Sequence, residues 1–326
     1  MTDGALRVLD GMHIKAVDLS LPKPDDVFSG AQLLDIADSR ASDSLFGLPL
    51  PELIRASALL RIITSDVDTF RSSEFTKDKA SRIFKDYIAA IADELKGDPL
   101  VVSILDGNTL RLLLEDEDDF AMLAEDIFTD LDAEDKGKIS KSEIRNALVQ
   151  MGAEMGVPPF SEFPQLNDIL RKHGADGEEQ LGQAQFAQLL QAVLQDLAEE
   201  LSQKNVIFIR NIKIINGSKL RQLLTNEKEL SSIAEKLVQE KQNSKSGSGN
   251  KEILRSFLER NAKELGLPLS EADEAVVLLY DDIFADVGKE KHEESDKDEL
   301  VRLLKEILQK FAERLESSPV FQDFAV

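Results

Sequence analysis

Apolar residues between positions 117 and 151 recur at intervals of three and four, which is the spacing of one buried face on an α-helix. The run upstream of position 132 consists of Phe120, Leu123, Ala124, Ile127, Phe128 and Leu131. The run downstream of position 143 consists of Ile144, Ala147, Leu148 and Met151. The pattern therefore predicts two amphipathic helices joined by the polar segment 132–143.

This polar segment has the spacing of an EF-hand calcium loop. Such a loop carries Asp at position 1, Gly at position 6 and Glu at position 12, and Asp132, Gly137 and Glu143 hold those positions. Lys136 stands at position 5, which removes one oxygen ligand and adds a charge of the same sign as the ion. Ile139, at position 8, is where paired loops of this kind form a short strand contact. The segment is therefore predicted to be one half of a loop pair.

The predicted metal ligands follow from the needs of Ca²⁺, which takes six to eight oxygens. Asp132, Glu134 and Glu143 offer side-chain carboxylates, and Glu143 is expected to bind through both oxygens. Lys138 offers its backbone carbonyl, and Ser140 a direct or water-mediated contact. Calcium is the one cofactor that the sequence predicts.

A threefold repeat organises the chain. Each repeat opens on an apolar phrase that ends in Asp-Gly or Asn-Gly, at 8–11, 104–107 and 214–217. Each closes on a similar helical phrase, at 91–95, 197–201 and 311–315. We therefore predict repeats at 1–103, 104–213 and 214–326, of about 100–110 residues each and long enough for a core of their own.

The fold class predicted from this organisation is all-α, with tandem EF-hand-like helix–loop–helix pairs and short β segments at the loops and between repeats. The stretches 206–209 and 212–215 are rich in β-branched residues, and the stretches 99–102 and 319–321 occupy equivalent places. We expect these short strands to tie one repeat to the next.

The repeats differ in how much of the calcium pattern they keep. The repeat at 104–213 is predicted to be an EF-hand pair with the one near-complete loop, and the other two repeats are predicted to be degenerate. In the third repeat, the stretch 242–250 has no carboxylate and is typical of a flexible connector. The second loop of each repeat lacks a ligand at position 1, at position 12 or at both. These two positions are held by Asp68 and Lys79 in the first repeat, by Gly174 and Gln185 in the second, and by Gly288 and Glu299 in the third. The acidic stretch 286–299 is either an irregular ion site or a solvated turn.

Composition narrows the classes of partner. The chain has 326 residues and a formal net charge of −23, so it repels phosphate backbones and anionic headgroups. Nucleic acid and membrane are therefore not expected as partners, whereas cations and basic peptide segments are. The absence of cysteine suits a reducing compartment. The expected location is the cytoplasm, with the nucleus as an alternative.

Residues suited to catalysis do not form a recognisable constellation. The three histidines, His13, His173 and His292, lie in different repeats without metal-ligand spacing. The Ser-Gly-Ser-Gly stretch at 246–249 follows a polar run rather than a strand, so it is not a phosphate-binding loop. The sequence therefore predicts a protein that is not an enzyme.

Several of these phrases together resemble a family of plant EF-hand proteins. They are the Leu-Asp-Gly opening, the acidic stretch before Phe120, the stretch 128–132 and the turn 137–140. The chain is similar to the branch related to calcium sensors that bind stress-activated, sucrose-nonfermenting-1-related protein kinases. The resemblance implies calcium-responsive inhibition or tuning of a partner protein. It assigns ion binding to the five ligands named above, and Lys136 departs from its pattern.

Two functions follow. The first is a calcium sensor, in which Glu143 moves inward on ion binding and opens an apolar groove for a protein partner, such as a protein kinase or a basic peptide segment. Candidate groove residues are Phe120, Leu123, Phe128, Leu148 and Met151. The second is a calcium-independent interaction scaffold that binds its partner through fixed helical grooves.

Overall fold

The computed structural model describes residues 6–22, 27–64, 66–243, 249–270, 273–287 and 296–323. This part of the chain is mostly helical, with sixteen α-helices and nine short strands, as the sequence predicts. Contacts divide it into two compact units. Unit 1 contains the described parts of 1–8, 46–48 and 101–210, and unit 2 those of 9–45, 49–100 and 211–326.

The first third of the chain ends in one long helix with an apolar face. Phe84, Ile91 and Leu95 lie on that face and are fully buried. Its elements are β1 (Leu6–Leu9), α1 (Gly11–Lys15), β2 (Val27–Ser29), α2 (Gly30–Ser44), α3 (Glu52–Ile62), α4 (Val67–Ser72), β3 (Glu74–Thr76) and α5 (Lys77–Gly97). A reciprocal capping box starts α2: Gln32 N–H donates to Ser29 Oγ, and Ser29 N–H donates to Gln32 Oε1.

The middle third contains the two helices that the apolar periodicity predicts. They are α7 and α8, and the loop between them has the bounds expected from the sequence. The elements are β4 (Leu100–Leu105), α6 (Asn108–Glu115), α7 (Glu117–Leu131), β5 (Ile139–Ser140), α8 (Ile144–Met151), α9 (Leu166–Lys172), β6 (Gln180–Leu181), α10 (Gln183–Gln203) and β7 (Val206–Ile209). Two 3₁₀ turns, Lys141–Glu143 and Ala153–Met155, flank α8.

The last third follows a similar order. Its elements are β8 (Ile212–Ile215), α11 (Ser218–Thr225), α12 (Glu227–Asn243), α13 (Asn250–Arg260), α14 (Ala262–Leu265), α15 (Glu274–Asp286), α16 (Asp296–Ser317) and β9 (Val320–Asp323). The core of this part is built around Tyr280, whose ring lies 4.7 Å from that of Phe311 and whose hydroxyl donates to Pro268 O at 3.0 Å. The predicted ion site at 286–299 and the predicted connector at 242–250 lie largely outside the described residues.

The strands predicted at 206–209 and 212–215 are confirmed as β7 and β8. Each of them pairs with a strand at the other end of its repeat. β7 is antiparallel to β4, with Val206 opposite Leu105, and β8 is antiparallel to β9, with Ile215 opposite Val320. β4 also has β1 as a neighbour in a sheet of order β1-β4-β7. The predicted repeat boundary after residue 103 therefore falls inside a strand, and β4 serves the first and second repeats together.

The Asp-Gly and Asn-Gly phrases form the same side-chain hydrogen bond at all three repeat openings. The Oδ1 atom of the Asx side chain accepts the backbone N–H two residues further on, and this bond starts the next helix. The three distances are 2.9 Å for Asp10, 3.0 Å for Asp106 and 3.1 Å for Asn216. The repeated phrase is therefore a repeated helix start.

The glycine of each phrase lies against the backbone of the closing helix. A Cβ atom built on the glycine would come closer than 3.0 Å to the carbonyl oxygen of an alanine, a separation that side chains do not tolerate. The pairs are Gly11 with Ala92, Gly107 with Ala198 and Gly217 with Ala312. Gly107 and Gly217 also have positive φ, +81° and +75°, which disfavours any other residue. We call these three contacts the glycine–alanine locks.

The three-repeat division stays a prediction, because the compact units follow another grouping. Unit 2 contains most of the first predicted repeat and all of the described third repeat. Within it, Lys213 forms an ion pair with Asp98, and Asn216 Nδ2 donates to Lys96 O at 3.4 Å. Both contacts join residues more than 100 positions apart in the sequence.

Candidate calcium loop

Local sequence sets the two ends of the candidate loop. Asp116 caps the start of α7 by accepting Asp119 N–H at 3.0 Å, and acidic residues fill the first turn, where the helix dipole favours negative charge. At the other end, Asp132 N–H donates to Phe128 O at 2.9 Å, which places the Asp132 side chain at the mouth of the loop. Helix α8 then begins at Ile144, which is fully buried.

The carboxylate of Asp132 organises the loop. Its Oδ1 accepts Lys136 N–H at 3.0 Å, and its Oδ2 accepts Gly137 N–H at 2.6 Å. The backbone reverses direction here, with φ +51° at Asp135 and +65° at Gly137. Glycine adopts that conformation without strain, which explains the Gly at position 6. The first predicted ligand therefore already points into the loop.

The other predicted ligands are not gathered around one point. Glu134 is exposed and forms an ion pair with Lys136. Glu143 is half-buried, and its Oε2 accepts Asn146 Nδ2 at 2.7 Å. Ser140 Oγ donates to Gly177 O at 3.3 Å, and Lys138 is exposed. Within the described ranges, no three acidic or histidine side chains are grouped so that they could hold a metal ion.

The donor chemistry of the loop nevertheless fits Ca²⁺. One oxygen each from Asp132 and Glu134, two from Glu143, the carbonyl of Lys138 and one contact through Ser140 make about six, the lower end of the range for this ion. All five groups lie within the twelve-residue segment 132–143. The fit requires Glu134 and Glu143 to exchange their present partners, Lys136 and Asn146, for the ion.

The loop is paired with a second loop, as the sequence predicts. Ile139 lies opposite Leu181, Ser140 lies opposite Gln180, and Lys141 N–H donates to Glu179 O at 2.9 Å. Leu181 is position 8 of a loop that starts at Gly174. The two helix–loop–helix segments, α7–α8 and α9–α10, thus meet at the position expected for a loop pair.

The first repeat contains a similar pairing that the sequence did not predict. Phe28 in β2 lies opposite Phe75 in β3. Phe75 is position 8 of a loop that starts at Asp68, so it corresponds to Leu181. The sequence predicts only that this repeat is degenerate, because pairing through backbone hydrogen bonds leaves no side-chain signature.

The predicted groove residues are core residues. Phe120, Phe128, Leu148 and Met151 are buried, and Leu123 packs against them. The ring of Phe128 lies 5.7 Å from that of Phe186 on α10. Leu110 of α6, Phe163, and Val206 and Phe208 of β7 belong to the same buried cluster. The apolar face of the loop pair is therefore closed, and a partner would meet it only after a rearrangement.

Two clusters of charged residues were not singled out by sequence analysis. In unit 1, Asp196 Oδ2 lies 2.5 Å from Lys172 Nζ and 2.8 Å from His173 Nε2, and the Lys172 hydrogen bond, more than the His173 contact, lowers the pKa of Asp196. In unit 2, Tyr87 OH donates to Asp38 Oδ1 at 3.2 Å, and burial raises the pKa of Asp38. Neither cluster has a motif, because its members come from separate elements.

Comparison with known protein families, with curated proteins and with solved structures finds no match to this chain. None of the helices in the described ranges combines the length and apolarity needed to cross a bilayer.

Proposed function

We propose that this chain is a calcium-binding regulator of a protein partner and that it holds the ion in the loop 132–143. The observation that carries the proposal is the Asp132 carboxylate, which accepts the Lys136 and Gly137 amides while the loop pairs with a second loop through Ile139. That arrangement brings the position 1 ligand and the turn together. The proposed role is one of binding rather than catalysis.

The ligands would be Asp132, Glu134, Lys138, Ser140 and Glu143. A bound Ca²⁺ would supply a positive centre that neutralises the loop carboxylates and joins its two ends. Glu143 directly precedes Ile144, the first residue of α8, whose side chain is fully buried. Any inward movement of Glu143 is therefore transmitted to α8 and to the core beneath it.

The resemblance to kinase-binding calcium sensors favours a protein kinase as the partner. The net charge of −23 supports a partner with basic segments, because opposite charge raises the rate of encounter. The expected compartment remains the cytoplasm, with the nucleus as the alternative.

A second candidate function is a calcium-independent scaffold, and one observation favours it. The ammonium of Lys136 pairs with Glu134, so the loop contains a cation of its own at the place where a ligand is missing. In this case partner binding would use fixed surfaces and would survive chelation. The two candidates differ in the affinity of the loop for calcium and in whether partner binding survives chelation.

The test is calorimetric titration of Ca²⁺ into the metal-stripped full chain with Mg²⁺ present. The proposal expects one site, weakened more than about tenfold by Glu143→Gln and strengthened by Lys136→Asp, because affinity follows the number and charge of the ligands. Glu178→Gln, which removes an exposed carboxylate from the second loop, is the matched control and should change nothing.

Two results would reject calcium binding at this loop. The first is an absence of heat with both the unmodified chain and Lys136→Asp, which leaves the scaffold as the function. The second is a site that survives Glu143→Gln unchanged, which places the ion elsewhere in the chain.

A further inference from the structure

A groove of about 630 Å³ lies between α12 and α16 in unit 2. Its lining on α12 runs from Glu227 to Gln242, about 22 Å at the rise of an α-helix. The floor on α12 is formed by Leu230, Ala234 and Val238. A groove of this length fits a helix of about four turns.

The corresponding interface in unit 1 is filled by aromatic rings. The phrase at 110–114 recurs at 220–224, and the same shift of 110 positions relates α7 to α12. This shift aligns Phe120 with Leu230, Ala124 with Ala234 and Phe128 with Val238 in the sequence. These three residues of α7 are buried, with Phe128 against Phe186 of α10. Leu230 and Val238 are smaller than the phenylalanines at the matching positions of α7, and Val238 is only half-buried where Phe128 is buried.

The two walls of the groove carry opposite charges. Glu227 and Glu235 lie on the α12 wall, and Lys297 and Lys305 lie on the α16 wall. All four are exposed, and each pair is separated by eight positions, about 12 Å along its helix. The two lysines have no basic counterpart in unit 1. When the closing phrase 311–315 is aligned with 197–201, Lys297 matches Gln183 and Lys305 matches Gln191.

The charge pattern specifies the occupant. A helix lying in the groove presents one flank to the acidic wall and the other to the basic wall, so it needs basic residues on the first and acidic residues on the second. Its central stripe must be apolar, because Val238 and Val301 are only half-buried at the floor. The neighbouring segments 244–248 and 288–295 contain no large apolar residue, so they do not supply that stripe.

We propose that the α12–α16 groove is the docking site for an amphipathic helix of a partner protein, with one basic flank and one acidic flank. Helix-in-groove recognition of this kind needs apolar anchors at intervals of three and four residues. The inference rests on the partner-binding half of the proposed function and names the surface that performs it. It does not depend on calcium, because the groove lies in unit 2 and the predicted ion loop in unit 1.

Three synthetic 16-residue helical peptides test the proposal. They share one apolar stripe and differ in their flanks: one basic and one acidic, both basic, or both acidic. Each carries a fluorophore and is titrated with the full chain in chelator, with binding read by fluorescence anisotropy. The mixed peptide should bind on the order of tenfold more tightly than either other peptide, because four flank pairs are then favourable.

Two protein variants sharpen the test. Val238→Phe restores the residue found in unit 1 and should close the groove, so mixed-peptide affinity falls at least about tenfold while the chain keeps its melting temperature. Glu227→Lys with Glu235→Lys makes both walls basic and should make the doubly acidic peptide the tightest ligand. Glu252→Lys with Glu274→Lys, two exposed changes on α13 and α15 that alter the net charge by the same amount, is the control and should preserve the original order.

Three outcomes would overturn the proposal. If the doubly basic peptide binds the unmodified chain most tightly, the attraction is that of the acidic surface as a whole. If Val238→Phe leaves mixed-peptide affinity unchanged, the peptide binds elsewhere. If sedimentation shows a dimer that Val238→Phe dissociates, the groove is an interface between copies of the chain. The peptide titrations, the Val238→Phe comparison and sedimentation do not require calcium. If the loop 132–143 fails to bind calcium in the separate calorimetric test, these three measurements therefore still decide the groove proposal.

Discussion

The glycine–alanine lock at Gly107 makes a quantitative prediction about stability. Gly107→Ala places a Cβ atom closer than 3.0 Å to Ala198 O and 3.1 Å from its Cα, and both are backbone atoms of a packed helix. The same substitution puts alanine at a φ of +81°. The left-handed conformation costs about 1–2 kcal/mol, and overpacking a well-packed site costs about 1–3 kcal/mol. We expect a loss of about 2–5 kcal/mol in the free energy of unfolding.

Two matched substitutions separate these costs. Gly174→Ala, also in unit 1, has φ +61° with no atom within 4 Å of the new Cβ, so it should cost only the conformational part, about 1–2 kcal/mol. Gly11→Ala meets Ala92 O in the same way but without a positive φ, so it should cost only the overpacking part, about 1–3 kcal/mol.

Urea unfolding followed by far-ultraviolet circular dichroism measures these differences, because the chain has no tryptophan to serve as a fluorescent reporter. A loss of about 2–5 kcal/mol is a large share of the about 5–15 kcal/mol that stabilises a typical domain. If Gly107→Ala and Gly174→Ala lower the free energy of unfolding equally, the contact with Ala198 imposes no constraint. The explanation of the repeated glycine would then be wrong.

Three further substitutions test the core and the charged clusters. Phe186→Ala removes a fully buried ring beside Phe128 and should lower the urea-derived free energy of unfolding by about 3–5 kcal/mol; a loss below about 1 kcal/mol would contradict the core assignment. The pKa of Asp196 is lowered in the folded state, so its carboxylate stabilises the fold at neutral pH and stops doing so as the pH falls through that pKa. The loss in free energy of unfolding caused by Asp196→Asn should therefore become smaller below about pH 4, and a loss that does not change with pH would refute this role. Burial raises the pKa of Asp38 in the folded state, so ionisation of this group lowers the stability of the fold as the pH rises above about 4. Between about pH 4 and 7, the free energy of unfolding of Asp38→Asn, measured in urea, should therefore rise relative to that of the unmodified chain. An unchanged difference between the two would count against this explanation.

Sequence reasoning succeeded where a periodic pattern maps directly onto local structure. The spacing of Phe120 and Phe128 predicted α7, and the β-branched run 206–209 predicted β7. The position of Ile139 within the loop predicted its strand contact, because loop pairing follows from the register of a twelve-residue pattern. These features depend on neighbours within a few positions, and the sequence records them.

Features set by distant contacts were not predictable in the same way. Periodicity shows that Phe128 lies on an apolar face, but it does not show whether α10 covers that face. The pairing of Phe28 with Phe75 depends on backbone hydrogen bonds, which any residue can supply. The ion pair of Lys213 with Asp98 joins parts of the chain that share no motif. The grouping of the first and third repeats in unit 2 was missed for the same reason.

The glycine–alanine locks have a consequence for how the repeats could diverge. Each lock closes a repeat through two backbones and two of the smallest residues, and it uses neither the loop ligands nor the large apolar side chains between them. The middle of a repeat is therefore free to lose carboxylates, as at Gly174 and Gln185, while the repeat still closes. The residues that close a repeat and the residues that bind an ion are therefore different, and each set can change without the other. Copies of one ancestral repeat can thus keep the same closure and take on different tasks.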